Sequence, residues 1–306
     1  MVIKPVAIAI LFPGQGTQTP RMGEPWRGSP VWEVVERAEA ALGQPLAHLL
    51  LEATAEELSR TREAQLSVLL ASLLAWEAIR DQVGAPVAFA GHSLGQITAL
   101  IASGALTLAD GVALAVARAD CTQAAADASP GRMAALIGAD VDVAEKACDG
   151  FEAWVANDNA PGQVVIGGSV EGLEAATERA ADLGIRRIMK LNVGAAFHTP
   201  RMQAAADALA PFLATTPFSA PSAPVVSNAD AQPYPGADGW PRRLADHLIS
   251  PVRWRSSMET LVRLGAEEFY EVGPGNVLTG LSKRTVGPSV KLRSVTVPTD
   301  ALLEVA

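Results

Sequence analysis

Five residues carry the strongest chemical signal in the chain: Gly91-His92-Ser93-Leu94-Gly95. They follow a short apolar run, Val87–Ala90, and precede an apolar stretch with helical spacing, Gln96–Ala102. That order predicts a strand, a sharp turn and a helix, with the serine on the turn. Glycines at both flanks let the main chain turn without a Cβ clash. Ser93 would then stand at a helix N-terminus, where unpaired N–H groups and the helix dipole favour a developing negative charge. The chemistry this suits is nucleophilic acyl transfer, and a serine hydroxyl needs a base to perform it.

Four histidines could supply that base: His48, His92, His198 and His247. His92 adjoins the serine; adjacent side chains on a tight turn diverge, so packing or a turn contact is its expected role. His48 lies in Pro45–Leu50 without chemical context. His198 ends Gly194-Ala195-Ala196-Phe197-His198, where a strand enters a loop before a helix. His247, in Asp246-His247-Leu248, fits an ordinary surface position or a support for another group. Taken alone, none of the four is singled out.

The elements that must position these groups alternate between strand and helix. Val6–Phe12 is continuously apolar and ends at Pro13-Gly14, as a parallel strand covered on both faces would. Apolar spacing predicts helices near 31–42, 63–80, 110–126, 200–215 and 254–264, and strands at Pro224–Ser227 and Glu268–Glu271. Between Met133 and Asn192 the pattern reads strand (Met133–Ile137), helix (141–149), strand (Val164–Ile166), helix (170–183), strand (Arg187–Leu191). This β-α-β-α-β order suggests a small, ferredoxin-like insertion. The alternation implies an α/β core with a mostly parallel sheet.

Composition sets outer limits. The 306 residues carry 24 basic and 33 acidic side chains, a net charge of −9, and lack the basic stripe of a nucleic-acid binder. Hydrophobic residues make up 49% and charged residues 19%, so a sizeable core is expected, in two domains or in one with an insertion. Cys121 and Cys148 are too few for a disulfide framework or a four-thiolate metal site, and no metal site is expected. Lys4 ahead of Val6–Phe12 imitates a signal peptide, but Pro13-Gly14 stands where a cleavage site would, and a first strand is the better reading. No formally charged residue occurs between Asp81 and Asp110. Pro86, Gly91, His92, Gly95, Gln96 and Gly104 break that stretch, so no membrane span is expected there.

Several segments in order resemble the malonyl-CoA:acyl carrier protein acyltransferases of fatty-acid and polyketide synthesis. They are Phe12-Pro13-Gly14-Gln15-Gly16-Thr17-Gln18, the serine turn Gly91–Gly95, Arg118 in Ala117-Arg118-Ala119-Asp120, Asn159-Ala160-Pro161-Gly162-Gln163, Phe197-His198-Thr199 with Met202, Ser227-Asn228, Pro251-Val252-Arg253-Trp254, and Glu271-Val272-Gly273-Pro274-Gly275. The resemblance implies a large α/β-hydrolase-like domain (1–130 and 197–306) with a mostly parallel sheet, plus a small ferredoxin-like subdomain (131–196).

It also implies a ping-pong transfer of malonyl from malonyl-CoA to the phosphopantetheine thiol of an acyl carrier protein. Ser93 would be the nucleophile and His198 the base. The N–H groups of Gln15 and Leu94 would form the oxyanion hole. Arg118 would hold the free malonyl carboxylate with two parallel hydrogen bonds. Asn159 is expected to act in the turn more than on the substrate. Phe197 resembles the malonyl-selective pattern, where a small residue would admit an α-methyl group, a preference worth about 1–3 kcal/mol. No cofactor is implied; the expected protein is a cytoplasmic monomer.

Two positions depart from the family pattern. Gln96 stands where glutamate is usual, which changes the charge near the serine. His247 stands where an amide side chain is common; its neutral imidazole is expected to accept the Nδ1 proton of His198. Competing readings are a trans-acting polyketide acyltransferase with another acyl unit, a serine esterase or thioesterase, and a non-catalytic docking partner. In a hydrolase, Asp182 with His198, or Asp230 with His247, would complete the chain order serine, acid, histidine, but Arg118 would have no role. A basic patch for an acidic carrier is sought near Arg186-Arg187, Arg253–Arg255 or Lys283-Arg284.

Overall fold

The structure is a computed structural model and describes residues 6–300. The basic start of the signal-peptide imitation, with Lys4, and the outer ends of the expected large domain (1–5 and 301–306) lie outside the described residues. The elements run β1 (Ile8–Phe12), α1 (Glu33–Leu42), α2 (Ala47–Leu51), α3 (Thr61–Ile79), β2 (Ala88–Gly91), α4 (Gly95–Ala102), α5 (Leu108–Ala128), β3 (Arg132–Ile137), α6 (Val141–Cys148), β4 (Ala153–Ala160) and β5 (Gln163–Gly168). They continue with α7 (Val170–Asp182), β6 (Arg187–Lys190), α8 (Gln203–Thr215), β7 (Val225–Val226), β8 (Pro233–Tyr234), α9 (Trp240–Ile249), β9 (Val252–Arg253), α10 (Trp254–Arg263), β10 (Glu268–Val272), α11 (Val277–Val286) and β11 (Lys291–Val295).

One sheet has the order β11-β10-β1-β2-β7-β8 and is parallel apart from the β7–β8 pair. The unbroken apolar run of β1 follows from its place in the middle. Ile8, Ile10 and Phe12 pack into the core around α3, while Ala9 and Leu11 face the core formed with α10 and α11. Helix α3 is buried almost all round, and its Trp76 packs edge-on against Phe12 and Phe89, with ring centres 6.2 and 5.5 Å apart. Phe12 and Gly91 pair at the C-terminal ends of β1 and β2. In parallel α/β sheets that edge is where chemistry is placed.

The second sheet has the order β6-β3-β5-β4-β9. Its first four strands pair antiparallel; β9, from the later part of the chain, adds to β4 in parallel. Residues alternate faces along β3: Ala134 and Leu136 meet α6 and α7, whereas Met133 and Ala135 face the other way, with Val165 and Phe197. The stretch from β3 to β6 therefore runs β-α-β-β-α-β. The strand Ala153–Ala160 was not anticipated, because its second half, Asn157-Asp158-Asn159, is polar and its pairing carries two irregularities. Helices α9 and α11 and strand β11 were likewise not anticipated. No helix among the described residues is long and apolar enough to cross a membrane, and the stretch 82–109 divides into β2, the serine turn, α4 and the start of α5.

The two chain crossings between the sheets touch. Gly131 N–H donates to Gly194 O at 3.2 Å, and a Cβ on Gly131 would lie 2.8 Å from Ala196 N. Arg201 spans both crossings, donating to Ser129 Oγ, the Pro130 carbonyl and Glu152.

Candidate active site

The turn after β2 is forced by close backbone packing. A Cβ at Gly91 would lie 1.8 Å from Gly95 O, and one at Gly95 would lie 2.2 Å from Phe12 O. Ser93 adopts φ +54°, a left-handed conformation that costs a non-glycine residue energy and marks a functional position when held in place. Asn228 holds it. Its Oδ1 accepts the Ser93 N–H at 2.8 Å and its Nδ2 donates to Gly91 O at 2.7 Å. Gln96, almost wholly buried, faces away from the serine hydroxyl: its Oε1 accepts the Asn228 N–H at 3.0 Å and its Nε2 donates to Val226 O at 3.4 Å. An amide can accept and donate at once, whereas a carboxylate would face the Val226 carbonyl with no proton to share.

Ser93 Oγ lies 2.7 Å from His198 Nε2. His198 Nδ1 lies 2.8 Å from the His247 backbone carbonyl. A carbonyl only accepts, so Nδ1 carries the proton and Nε2 is left to take the serine proton. The expected role of the His247 imidazole is thus corrected: the main chain, not the ring, orients His198. The ring stacks on His198 instead, with centres 4.7 Å apart and planes 25° apart, and its buried Nε2 has no hydrogen-bond partner among the described residues. Stacking points the ring nitrogens sideways, away from the Nδ1 proton.

Neither nominal hydrolase acid reaches a histidine. Asp230 Oδ2 accepts from Tyr234, and Asp182 is exposed at the end of α7. Burial, reinforced by the Arg118 charge, pushes the His198 pKa down to about 3, so the imidazole is neutral and able to accept a proton at neutral pH.

Arg118 comes from the middle of α5 and is 7% exposed. Its Nη2 donates to Ser93 Oγ at 3.2 Å and its Nη1 to Gln65 Oε1. Among the described residues no carboxylate pairs with it. Burial lowers its pKa to about 10, which leaves it charged at neutral pH. A buried guanidinium with only neutral partners carries an uncompensated charge and is suited to receive an anion. Gln65 was not singled out from the sequence. It lies in the uniformly buried α3, where a polar residue needs a partner, and that was the one available signal.

Gly14 lets the first loop approach the serine: a Cβ there would lie 2.4 Å from His92 O. The N–H groups of Gln15 and Leu94 have no acceptor among the described residues. They stand beside the serine as donors that an oxyanion could use. His92 points away, its Nε2 2.9 Å from Asn159 Oδ1 and its ring edge-on to Trp254. Asn159 therefore sits on strand β4, not in a turn, and lines the cleft. Gln15, Ser93, Arg118, Phe197 and His198 line one cleft of about 260 Å³, bounded by Met133, Ala135 and Val165 of the small sheet and by Val277, Leu278 and Leu281 of α11. Asn228 and Gln96 brace it from behind.

A strained serine, a neutral histidine with a fixed tautomer, two free N–H groups and a buried cation define an acyl-transfer site suited to acids that carry a second charge. The chain belongs to the acyl transferase domain family, whose pattern it matches over residues 10–298. It is 41% identical over 285 residues to the malonyl CoA-acyl carrier protein transacylase of Escherichia coli K12, covering 91% of this chain and 92% of that protein. The crystal structure of a malonyl-CoA:acyl carrier protein transacylase from Xanthomonas oryzae superposes with a TM-score of 0.90 at 35% identity over 97% of each chain. A malonyl-transacylase solved in complex with its type II polyketide acyl-carrier protein superposes with a TM-score of 0.91 at 33% identity, over 96% of this chain and 97% of that one.

Proposed function

We propose that the protein transfers a malonyl group from malonyl-CoA to the phosphopantetheine thiol of an acyl carrier protein, by a ping-pong route through malonyl-Ser93. The observation that carries this reading is the buried, uncompensated Arg118 within hydrogen-bond reach of the nucleophile. It calls for an acyl group with a free carboxylate. Ser93 Oγ attacks the thioester carbonyl as His198 Nε2 takes its proton. The tetrahedral oxyanion rests on the N–H groups of Gln15 and Leu94. The intermediate then collapses, and His198 returns the proton to the departing CoA thiolate. In the second half-reaction His198 deprotonates the carrier thiol, which attacks the malonyl ester and releases Ser93.

Every electron pair and proton in this sequence is supplied by the chain or the two thiols, so the reading needs no cofactor; malonyl-CoA is a substrate. Phe197 beside His198 favours the unbranched malonyl unit on steric grounds. The same chemistry serves fatty-acid and polyketide carriers, and the choice of carrier separates the two pathways.

The carrier is an acidic partner in this reading, and the surface suited to it is β6. Arg187 and Lys190 are exposed there on an edge strand beside β3, which carries Arg132, with exposed Arg186 just before it, and none of them is in an ion pair among the described residues. Of the other two candidate patches, Arg255 is paired with Asp158, which offsets the charge of the Arg253–Arg255 patch, while Arg284 bonds the neutral Gln163 beside exposed Lys283. We read the architecture as a large α/β-hydrolase-like domain over 1–130 and 197–306 with a ferredoxin-like insert at 131–196. The strand order β6-β3-β5-β4 and the β-α-β-β-α-β succession support that reading. The protein is taken to act as a cytoplasmic monomer.

The test is intact mass spectrometry of holo carrier protein after incubation with malonyl-CoA. Malonyl-carrier should accumulate with the wild type and be absent with Ser93→Ala. Release of free malonate at the full rate, with the carrier unloaded, would replace this reading with a hydrolase.

A further inference from the structure

We propose that a carboxylate seated on Arg118 switches on the Ser93–His198 pair, so that the site selects diacid thioesters in the rate of acylation as well as in binding. This rests on the acyl-serine reading above.

A serine hydroxyl has one proton and two lone pairs. Ser93 Oγ gives its proton toward His198 Nε2 at 2.7 Å and accepts a bond from Arg118 Nη2 at 3.2 Å. The three groups form a row with a cation at one end. Two consequences oppose attack. The Nη2 bond occupies a lone pair of the attacking oxygen and draws electron density from it. The cation also disfavours the imidazolium that must form on His198 as the serine proton arrives.

Nothing nearby relieves this charge. The other titratable groups around the serine are His92 and His247, both imidazoles, and no carboxylate pairs with Arg118 among the described residues. The depressed pKa of His198, set first by burial and then by Arg118, is consistent with that geometry.

Gln65 makes the row adjustable at one end only. Its Oε1 holds Arg118 Nη1, and its Nε2 is 3.4 Å from Thr122 Oγ1, a hydroxyl that itself donates to the Arg118 carbonyl at 2.8 Å. One amino group of the guanidinium is thus anchored between α3 and α5, and the other is the one that meets Ser93. A carboxylate arriving on Nη2 takes that bond away from Ser93 Oγ and compensates the charge that faces His198. Both changes favour attack. A neutral acyl group of the same reach leaves both obstacles in place.

The experiment uses p-nitrophenyl acetate, a neutral acyl donor. Its acetyl group moves to Ser93 Oγ, p-nitrophenolate departs, and the serine proton passes through His198 to solvent. The acylation burst is followed while sodium acetate is added at constant ionic strength. The expected result is a saturable acceleration on the order of 3- to 10-fold, the gain that about one pKa unit of added basicity gives. In Arg118→Met the saturable rise should vanish. An unchanged or slower burst in the wild type, or an equal rise in Arg118→Met, overturns the proposal.

A second measurement needs no variant. The p-nitrophenyl half-ester of malonic acid is compared with its neutral methyl ester. A higher maximal acylation rate for the half-ester supports switching, and equal maximal rates with different half-saturation overturn it. If Ser93→Ala is acetylated as fast as the wild type, the acyl-serine reading itself fails, whatever acetate does.

Discussion

At the scale of single residues, the orientation of His198 depends on a main-chain atom. The His247 carbonyl accepts the Nδ1 proton, and the ring above it contributes a flat, buried face. Any side chain at 247 brings the same carbonyl as long as α9 keeps its course. His247→Gln should therefore keep kcat within about threefold of wild type near neutral pH, less than one pKa unit's worth of change. A loss of about 100-fold in steady-state malonyl transfer would show that the ring takes part directly. The sequence pointed to the right residue and the wrong atom. A motif reports side chains, while the acceptor here is a peptide oxygen that every residue carries. Gln65 went unnoticed for a related reason: a glutamine inside an apolar helix has no pattern of its own until its partner on another helix is known.

At the scale of elements, two contacts hold the walls of the cleft. Glu271, buried at the C-terminal end of β10, accepts the N–H groups of Leu278 and Thr279 at 3.0 and 2.7 Å and so caps α11 from outside the helix. Burial raises its pKa, while these bonds favour the charged form. Glu271→Ala leaves both donors unpaired and should cost about 1–2 kcal/mol, the range of a lost helix cap. Because Val277, Leu278 and Leu281 line the cleft, KM should rise with kcat less affected; urea unfolding and steady-state kinetics check both. An unchanged unfolding midpoint would mean that water replaces the cap.

The serine turn is the second contact. Gly95→Ala would drive a methyl group into the Phe12 carbonyl, rigid backbone that does not yield as a side chain would. A loss of about 1–3 kcal/mol is expected, and an alanine variant as stable as wild type would disprove the tight fit. Strands β1 and β2 and helices α3, α4 and α5 were legible because each is a largely apolar run of the right length, bounded by glycine, proline or charged turn residues. Strand β4 was not, because its cleft-facing half carries the polar residues that the site uses.

At the scale of the whole molecule, the fold holds three imidazoles in neutral form. Burial lowers the pKa of His92, His198 and His247 below the value near 6.5 that they regain on unfolding. The unfolded chain therefore binds more protons below about pH 6.5. Stability is fully present above that pH and declines as pH falls toward the folded pKa values. The urea midpoint should drop between pH 7 and pH 5, before the carboxylates titrate, and His247→Gln should flatten that slope. A midpoint constant across this window would mean that the three rings are not held neutral. Burial of the site's imidazoles thus links the catalytic cleft to acid lability of the entire fold.

Local patterns in the chain were enough to determine the alternating α/β class, the strand–turn–helix around Ser93 and, through ordered motifs, the family. Those features rest on interactions between residues close in sequence, or on the simple division between apolar and polar faces. The residues alone left four histidines open and the ordered motifs pointed to His198; only the tertiary structure decided which atom orients it, and that Arg118 meets no carboxylate among the described residues. Ser93 and His198 are 105 positions apart and His198 and His247 are 49 apart. Contacts at such separations are set by how sheets and helices pack, and no local periodicity encodes them.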